Sequence, residues 1–143
     1  MNSKVYIGQK IVHLFRQIDR KIGKSVAQYG ITGIQAKIIN FLFIESSKRD
    51  IFQKDIEERF NIRRSSVTSV LNLMEKNGYI ERVCDLSDAR YKKIILKEKG
   101  LELSSIVTQL IEEVENSLSD TLTAEEYDIF INLIDKLSNK IEK

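Results

Sequence analysis

Residues Asn61 to Gly100 read NIRRSSVTSVLNLMEKNGYIERVCDLSDARYKKIILKEKG. The stretch opens with Arg63, Arg64 and a run of small hydroxyl residues on a helical pattern. It turns at Asn77-Gly78, a helix-ending dipeptide, and then passes through two extended runs, Ile80 to Cys84 and Lys92 to Leu96. A charged tip, Asp85 to Tyr91, separates the runs. A polar, basic helix followed by a basic β-hairpin has the layout of a winged helix-turn-helix, with the rest of the chain as its frame.

Immediately upstream, Gln53 to Phe60 reads as a short helix with Ile56 and Phe60 on one face. Asn61 suits the left-handed position that ends it. A second short helix from Arg64 to about Asn77 has Val67, Val70, Leu71 and Met74 as its core face and Leu73 at its flank. Two short helices across a tight turn make a helix-turn-helix. Further back, Thr32 and Gln35 form a capping box for a helix whose buried stripe is Ile34, Ile38, Ile39, Leu42 and Phe43. Residues 5–26 form a long amphipathic helix with Ile7, Ile11, Leu14, Phe15, Ile18 and Ile22 on one stripe, and Gly30 follows as a left-handed cap.

Downstream, a helix is expected to begin after Gly100, striped by Leu103, Ile106, Val107, Leu110, Ile111, Val114 and Leu118. Thr123 and Glu126 cap a last helix carrying Tyr127, Phe130, Ile131, Ile134, Leu137 and Ile141. The predicted fold is therefore mainly α with a small β-hairpin wing, an α+β winged helix-turn-helix of six helices.

The 143 residues suit one domain. No apolar run approaches the ~20 residues of a membrane span, and the N-terminus has no secretory h-region. One cysteine excludes an internal disulfide and fits a cytoplasmic location. The net charge of +2 conceals an asymmetry. Residues 1–60 carry 11 Lys/Arg against 6 Asp/Glu, residues 61–97 carry 8 against 4, and residues 98–143 carry 4 against 11. A basic front suggests a polyanionic partner.

The major groove is about 12 Å wide and admits a helix with little bulk at its leading end. Arg64, Ser65, Ser66, Thr68, Ser69 and Asn72 supply such a face, opposite the apolar one. Arginine pairs with guanine through two hydrogen bonds, hydroxyls bond bases or phosphates, and Asn72 can read adenine or contact the backbone. Hydroxyl residues are also common at helix starts for capping alone. At the hairpin tip, Asp88 lies two residues before Arg90 and can hold its guanidinium. An arginine so oriented suits a narrow A·T-rich minor groove, and Lys92 and Lys93 lie beside it for phosphates. Taken alone, the same pair is a turn salt bridge worth less than about 1 kcal/mol.

The segments Gln53–Phe60, Arg64–Thr68, Leu73–Ile80, Asp85–Arg90 and Ile94–Gly100 together resemble the multiple antibiotic resistance regulator (MarR) family of winged helix-turn-helix transcription factors. The Asp-x-Arg of the wing and the Leu-x-x-x-Gly after it stand in register with that family's signature. The resemblance implies an obligate homodimer straddling palindromic double-stranded DNA. It implies a winged DNA-binding lobe over residues 33–97, dimerisation helices over 5–28 and 101–141, and one such domain over 1–143. Under this mapping the recognition helix (Arg63, Arg64, Ser65, Ser66, Thr68, Ser69, Asn72) enters the major groove. Arg90 enters the minor groove with Asp88 as support, flanked by Lys92 and Lys93. The dimer interface would include Ile7, Ile11, Leu14, Leu118, Tyr127, Phe130, Ile134 and Leu137. Two positions depart from the pattern: Phe52 and Arg63 stand where small capping residues are common.

Cys84, at the end of the first wing strand, reads as a structural thiol rather than a redox sensor, with no second cysteine to resolve it. His13, the single histidine, reads as a surface or interface residue rather than a metal ligand. Glu112, Glu113 and Glu115 read as a solvated face. No Ser/His/Asp, Cys/His, paired-carboxylate or phosphate-loop arrangement suggests an enzyme, and no cofactor or metal site is expected. The expected function is a sequence-specific DNA-binding regulator of transcription, a repressor released by a small-molecule or other effector. The alternative is a winged-helix interaction or dimerisation module without DNA reading, which predicts a neutral or apolar face where Arg63 and Arg64 stand.

Overall fold

The computed structural model describes residues 3–88 and 90–142; Ala89, within the tip motif, and the terminal residues lie outside the described part. The elements are α1 (Ile7–Val26), a 3-10 turn (Ala27–Tyr29), α2 (Gly33–Glu45), α3 (Gln53–Phe60), α4 (Arg64–Lys76), β1 (Ile80–Cys84), β2 (Lys92–Leu96), α5 (Glu98–Thr121) and α6 (Ala124–Glu142). The architecture is six helices plus a two-stranded antiparallel hairpin, the predicted winged helix-turn-helix. The chain divides into two compact units, Met1–Ile111 and Glu112–Lys143. Among the described residues no helix is long and apolar enough to cross a membrane.

The first unit holds the core. Thr32 caps α2, its hydroxyl accepting from the Gln35 N–H at 3.4 Å while the Gln35 side chain accepts from the Thr32 N–H at 3.0 Å. This reciprocal pair satisfies two otherwise orphaned donors and contributes about 1 kcal/mol. Along α2, Gln35, Ala36, Ile38, Ile39, Phe41 and Leu42 are all buried. The single-stripe expectation for α2 therefore fails at one position. Phe43 is 44% exposed, whereas Phe41 is buried. Phe41 is drawn inward because Phe60 of α3 meets it edge-on at 5.9 Å and the Arg59 guanidinium lies over its ring.

Core side chains from α3 and α4, chiefly Ile56, Val67, Leu71 and Met74, close on α2 and on Ile80 and Ile94 of the hairpin. Asn61 takes φ 50°, the left-handed position that separates α3 from α4. At the other end of α4, Gly78 takes φ 83°. There the Tyr79 N–H donates to the Met74 carbonyl and the Gly78 N–H to that of Glu75, which turns the chain into β1.

The hairpin register pairs Ile80 with Leu96 and Cys84 with Lys92. A third segment joins it. Phe52 bridges to Lys93, and the Ile94 N–H donates to the Ile51 carbonyl at 2.8 Å. Sequence pattern did not reveal this bridge, because two residues carry no period.

Helix α5 begins at Glu98, so Gly100 lies inside its first turn rather than before it. The N-terminal residues come into the helix because the Lys97 N–H donates to the Tyr79 carbonyl and thereby aims the chain. Gly100 is buried against that same carbonyl. A Cβ there would lie 2.4 Å from the Tyr79 oxygen and 2.9 Å from the Leu96 Cδ2.

Burial along α1 is confined to its end, at Ile22 and Val26; Ile7, Ile11, Leu14 and Phe15 are exposed. In the second unit α6 has no buried residue, although Tyr127, Phe130, Ile131 and Leu137 share its length. The Thr123–Glu126 capping box is formed, with both hydrogen bonds present.

A Gly100→Ala substitution is expected to destabilise the protein by about 1–3 kcal/mol, the usual cost of overpacking, because the clash is with backbone that no rotamer change relieves. Equilibrium denaturation measures it, and a variant as stable as the parent would show that the α5 start can move away from Tyr79.

Candidate nucleic-acid interface

Arg63 is the N-cap of α4 and supplies no side-chain cap. Arg63, Arg64, Ser65, Ser66, Ser69 and Asn72 are all exposed. Thr68 is half-buried, and its hydroxyl is committed inside the chain. It donates to the Arg64 carbonyl at 2.9 Å and accepts from the Gln53 side-chain amide at 2.8 Å. Ser69 likewise donates to the Ser65 carbonyl at 3.2 Å. Gln53, at the start of α3, thus ties the two helices together, a role its sequence context does not signal.

Phe52 cannot offer the side-chain acceptor that a Ser or Thr cap would. The α3 start is stabilised from the other side, by the Asp55 carboxylate accepting the Phe52 N–H at 2.8 Å while Arg49 holds Asp55 at 3.0 Å. The Phe52 ring is then available to pack edge-on against Tyr91 at 6.3 Å, which anchors the wing base to α3.

The wing tip is ordered by its two aspartates. Asp85 accepts from the Ser87 N–H and hydroxyl at 2.9 and 2.8 Å. Asp88 accepts from the Arg90 N–H, Nε and Nη2 at 3.0, 3.1 and 2.9 Å. The guanidinium is thereby oriented while Arg90 stays 84% exposed at its side chain. Those hydrogen bonds hold the Asp88 carboxyl below the ordinary aspartate value of 3.8, the Arg90 side chain contributing most and its N–H next. Asp85 is held low mainly by the Ser87 N–H and hydroxyl. Leu86 stands fully exposed between them.

Below the tip, Arg82 of β1 reaches back to α4. It donates from Nη2 to the Asn72 Oδ1 at 2.6 Å and to the Glu75 carboxylate at 2.9 Å, and its backbone N–H donates to the other Glu75 oxygen at 2.9 Å. Neither Arg82 nor Glu75 was singled out in sequence, although they flank the Asn77-Gly78 turn with opposite charge.

Between the starts of α3 and α4 and the wing base runs a groove of about 440 Å³. Lys54, Arg64, Arg82, Arg90 and Lys92 line it with Glu57 as the one carboxylate, so the groove is strongly cationic. The structure therefore brings Arg64, Arg90 and Lys92 together. Lys93 does not line the groove; its ammonium faces Asp50 at 3.7 Å. Of the residues expected at a dimer interface, Ile7, Ile11, Leu14, Tyr127, Phe130 and Leu137 are exposed and Leu118 and Ile134 half-buried in the single chain. Cys84 is exposed, and His13 lines a shallow cleft with Lys4, Tyr6 and Lys10. Among the described residues no cluster of three His, Cys, Asp or Glu could hold a metal ion.

Residues 29–90 match the model of the MarR family. A curated relative, the HTH-type transcriptional regulator PapX of Escherichia coli, is 26% identical over 130 residues, covering 89% of this chain and 79% of its own length. The crystal structure of the transcription regulator MarR from Oenococcus oeni superposes with a TM-score of 0.82 at 25% identity, over 96% of this chain and all of that one. Over residues 29–90 the chain is similar to the MarR family. The S. aureus MepR–DNA complex has the same fold, with a TM-score of 0.86 at 21% identity over 96% of this chain and 99% of MepR. In this chain the groove, the α4 face and the wing tip lie on one winged helix-turn-helix.

A depressed carboxylate pKa contributes order that is complete above the unfolded value and is lost as pH falls through the folded value. The Asp88–Arg90 pair is therefore expected to persist at neutral and mildly acidic pH. In a carbon-detected NMR titration the Asp88 carboxyl should show a midpoint below 3.8, and Arg90→Ala should return it upward. An unchanged midpoint in that variant would show that Arg90 does not hold the carboxylate.

Proposed function

We propose that this chain is a MarR-family, homodimeric, sequence-specific DNA-binding transcriptional regulator that acts as a repressor and is located in the cytoplasm. The observation that carries this reading is the pairing of the exposed Arg64 at the α4 start with the oriented Arg90 at the wing tip, on two edges of one cationic groove. In this reading Arg63, Arg64, Ser65, Ser66 and Ser69 meet the major groove or its phosphates, and Thr68 shapes the helix rather than bonding DNA, its hydroxyl being engaged. The α4 N-terminus, free of a side-chain cap, favours a phosphate. Arg90, braced by Asp88, enters the minor groove; Lys92 meets phosphate, while Lys93 braces the wing through Asp50.

The winged lobe of residues 33–97 reads DNA, and the helices of residues 5–28 and 101–141 pair two copies within a single-domain chain of residues 1–143. The exposed apolar side chains Ile7, Ile11, Leu14, Tyr127, Phe130 and Leu137 support that pairing, with Leu118 and Ile134 at its margin. Burying each such side chain contributes about 1.5–3 kcal/mol. Two lobes then address half-sites about 34 Å apart, one helical turn of DNA. An effector that favours a dimer with a different lobe spacing would release the DNA by population shift.

Selection of genomic fragments by the purified protein, followed by gel shifts at two salt concentrations, tests this reading. Binding should weaken with a log–log salt slope of roughly −0.9 per neutralised phosphate. Enrichment of no fragment would favour an interaction module instead. On the selected site, Arg64→Ala should cost about 1–3 kcal/mol and flatten base preference at one position per half-site. Unchanged binding would remove Arg64 from the interface. Arg90→Ala should weaken binding most on A·T-rich flanks; equal loss on all flanks would assign Arg90 to phosphate.

A further inference from the structure

We propose that Arg82 is a positioning residue for DNA reading: it locks the wing to α4 and turns the Asn72 amide so that Asn72 meets DNA as a hydrogen-bond donor. This rests on the DNA-binding reading above and adds Asn72 and Arg82 to it.

The orientation of the amide follows from chemistry. Arginine carries only donors, so the Asn72 atom facing Arg82 Nη2 at 2.6 Å is its oxygen. The amide nitrogen is thereby turned away from the guanidinium. An unconstrained asparagine reads adenine with both ends, accepting from N6 and donating to N7. Here the oxygen is engaged by a charged donor at the short length of a charge-assisted bond, and the guanidinium cannot leave it easily. Glu75 holds that guanidinium through Nε at 3.3 Å and Nη2 at 2.9 Å, and also binds the Arg82 backbone. Those bonds keep the Glu75 carboxyl below its ordinary range, so the anchor is ionised at neutral pH.

Asn72 is exposed and lies eight residues after Arg64, on the same helical ridge, roughly 12 Å further along the axis. It is placed to reach the DNA that the α4 start reaches. Its free end is the amide nitrogen, which suits a phosphate oxygen or an acceptor on a base edge. Arg82 cannot be replaced by lysine without loss, because one planar fork serves two side chains at once.

The test uses the full-length protein and the DNA site it selects. Asn72→Asp keeps an oxygen for Arg82 and removes the donor. It should bind at least about tenfold more weakly at an unchanged thermal midpoint, the loss of one or more charge-assisted or base contacts. Wild-type affinity in N72D would overturn the proposal. The cost of Asn72→Ala should vanish at one methylphosphonate linkage, assigning a phosphate, or at one base-pair substitution, assigning a base acceptor; a cost abolished by neither overturns it. Replacing each adenine by purine, which lacks the 6-amino group, should leave the N72A cost intact. Its disappearance at one adenine would show Asn72 accepting from N6, against the proposal.

Arg82→Lys should bind more weakly, and its cost and that of N72A should overlap in a double-mutant cycle on DNA affinity. Simple additivity would deny that Arg82 acts through Asn72. If the wild-type protein selects no site, the DNA-binding reading falls and this inference with it. If it selects one and the variants behave otherwise, only the roles of Arg82 and Asn72 fall.

Discussion

The wing is held to the helices at the Tyr79 backbone, and the DNA-facing geometry depends on that contact. The turn at Gly78 places the Tyr79 N–H on Met74, at the end of α4. The Tyr79 carbonyl accepts from Lys97, between β2 and α5, and touches Gly100 within α5. The Tyr79 ring is buried with the Lys99 ammonium 4.5 Å from its centre. The end of α4, the start of α5 and the residue that joins β2 to α5 thus converge on Tyr79. Only glycine at position 100 allows the approach, so the entry of α5 against Tyr79 is set by backbone sterics rather than by a side chain that can adjust.

Rigidity on the α4 side comes from polar groups that satisfy one another. Thr68 and Ser69 bond back to the helix, Gln53 ties α3 to α4, and Glu75 with Arg82 ties α4 to β1. Each such pair contributes modestly to stability, of order 1 kcal/mol. Their larger effect is to decide which polar atoms remain free. A face that looks uniformly hydroxyl-rich in sequence therefore offers fewer free donors and acceptors than its composition suggests. At the wing tip the same principle works outward: Asp85 and Asp88 order the loop so that Arg90 is both solvent-exposed and oriented. Preorganised charge loses less entropy on binding than a free arginine would.

The element order, both strands, the Asn61 and Gly78 turns and two capping boxes were legible in the sequence. These features are local: a period of 3.6 or 2, a cap residue, or a residue tolerant of positive φ. The Phe52–Lys93 bridge was not legible, nor the burial of Phe41 in place of Phe43. Both depend on which surface another element presents. At the candidate interface the basic and hydroxyl residues were legible as a set. Gln53, Glu75 and Arg82 were not, because their partners lie seven or more residues away, across a turn or on another helix.

By itself, then, the sequence determined the winged helix-turn-helix and the chemistry available to its face, since periodicity, turn residues and charge are properties of short segments. The tertiary structure decided which of those groups are free. It spent Thr68 on Gln53 and the Asn72 oxygen on Arg82, turned Lys93 toward Asp50, and gathered Arg64, Arg90 and Lys92 about one groove. The physical reason is that a hydrogen-bonding atom has few partners to give. Which ones are already engaged is fixed only when elements distant in sequence are packed side by side.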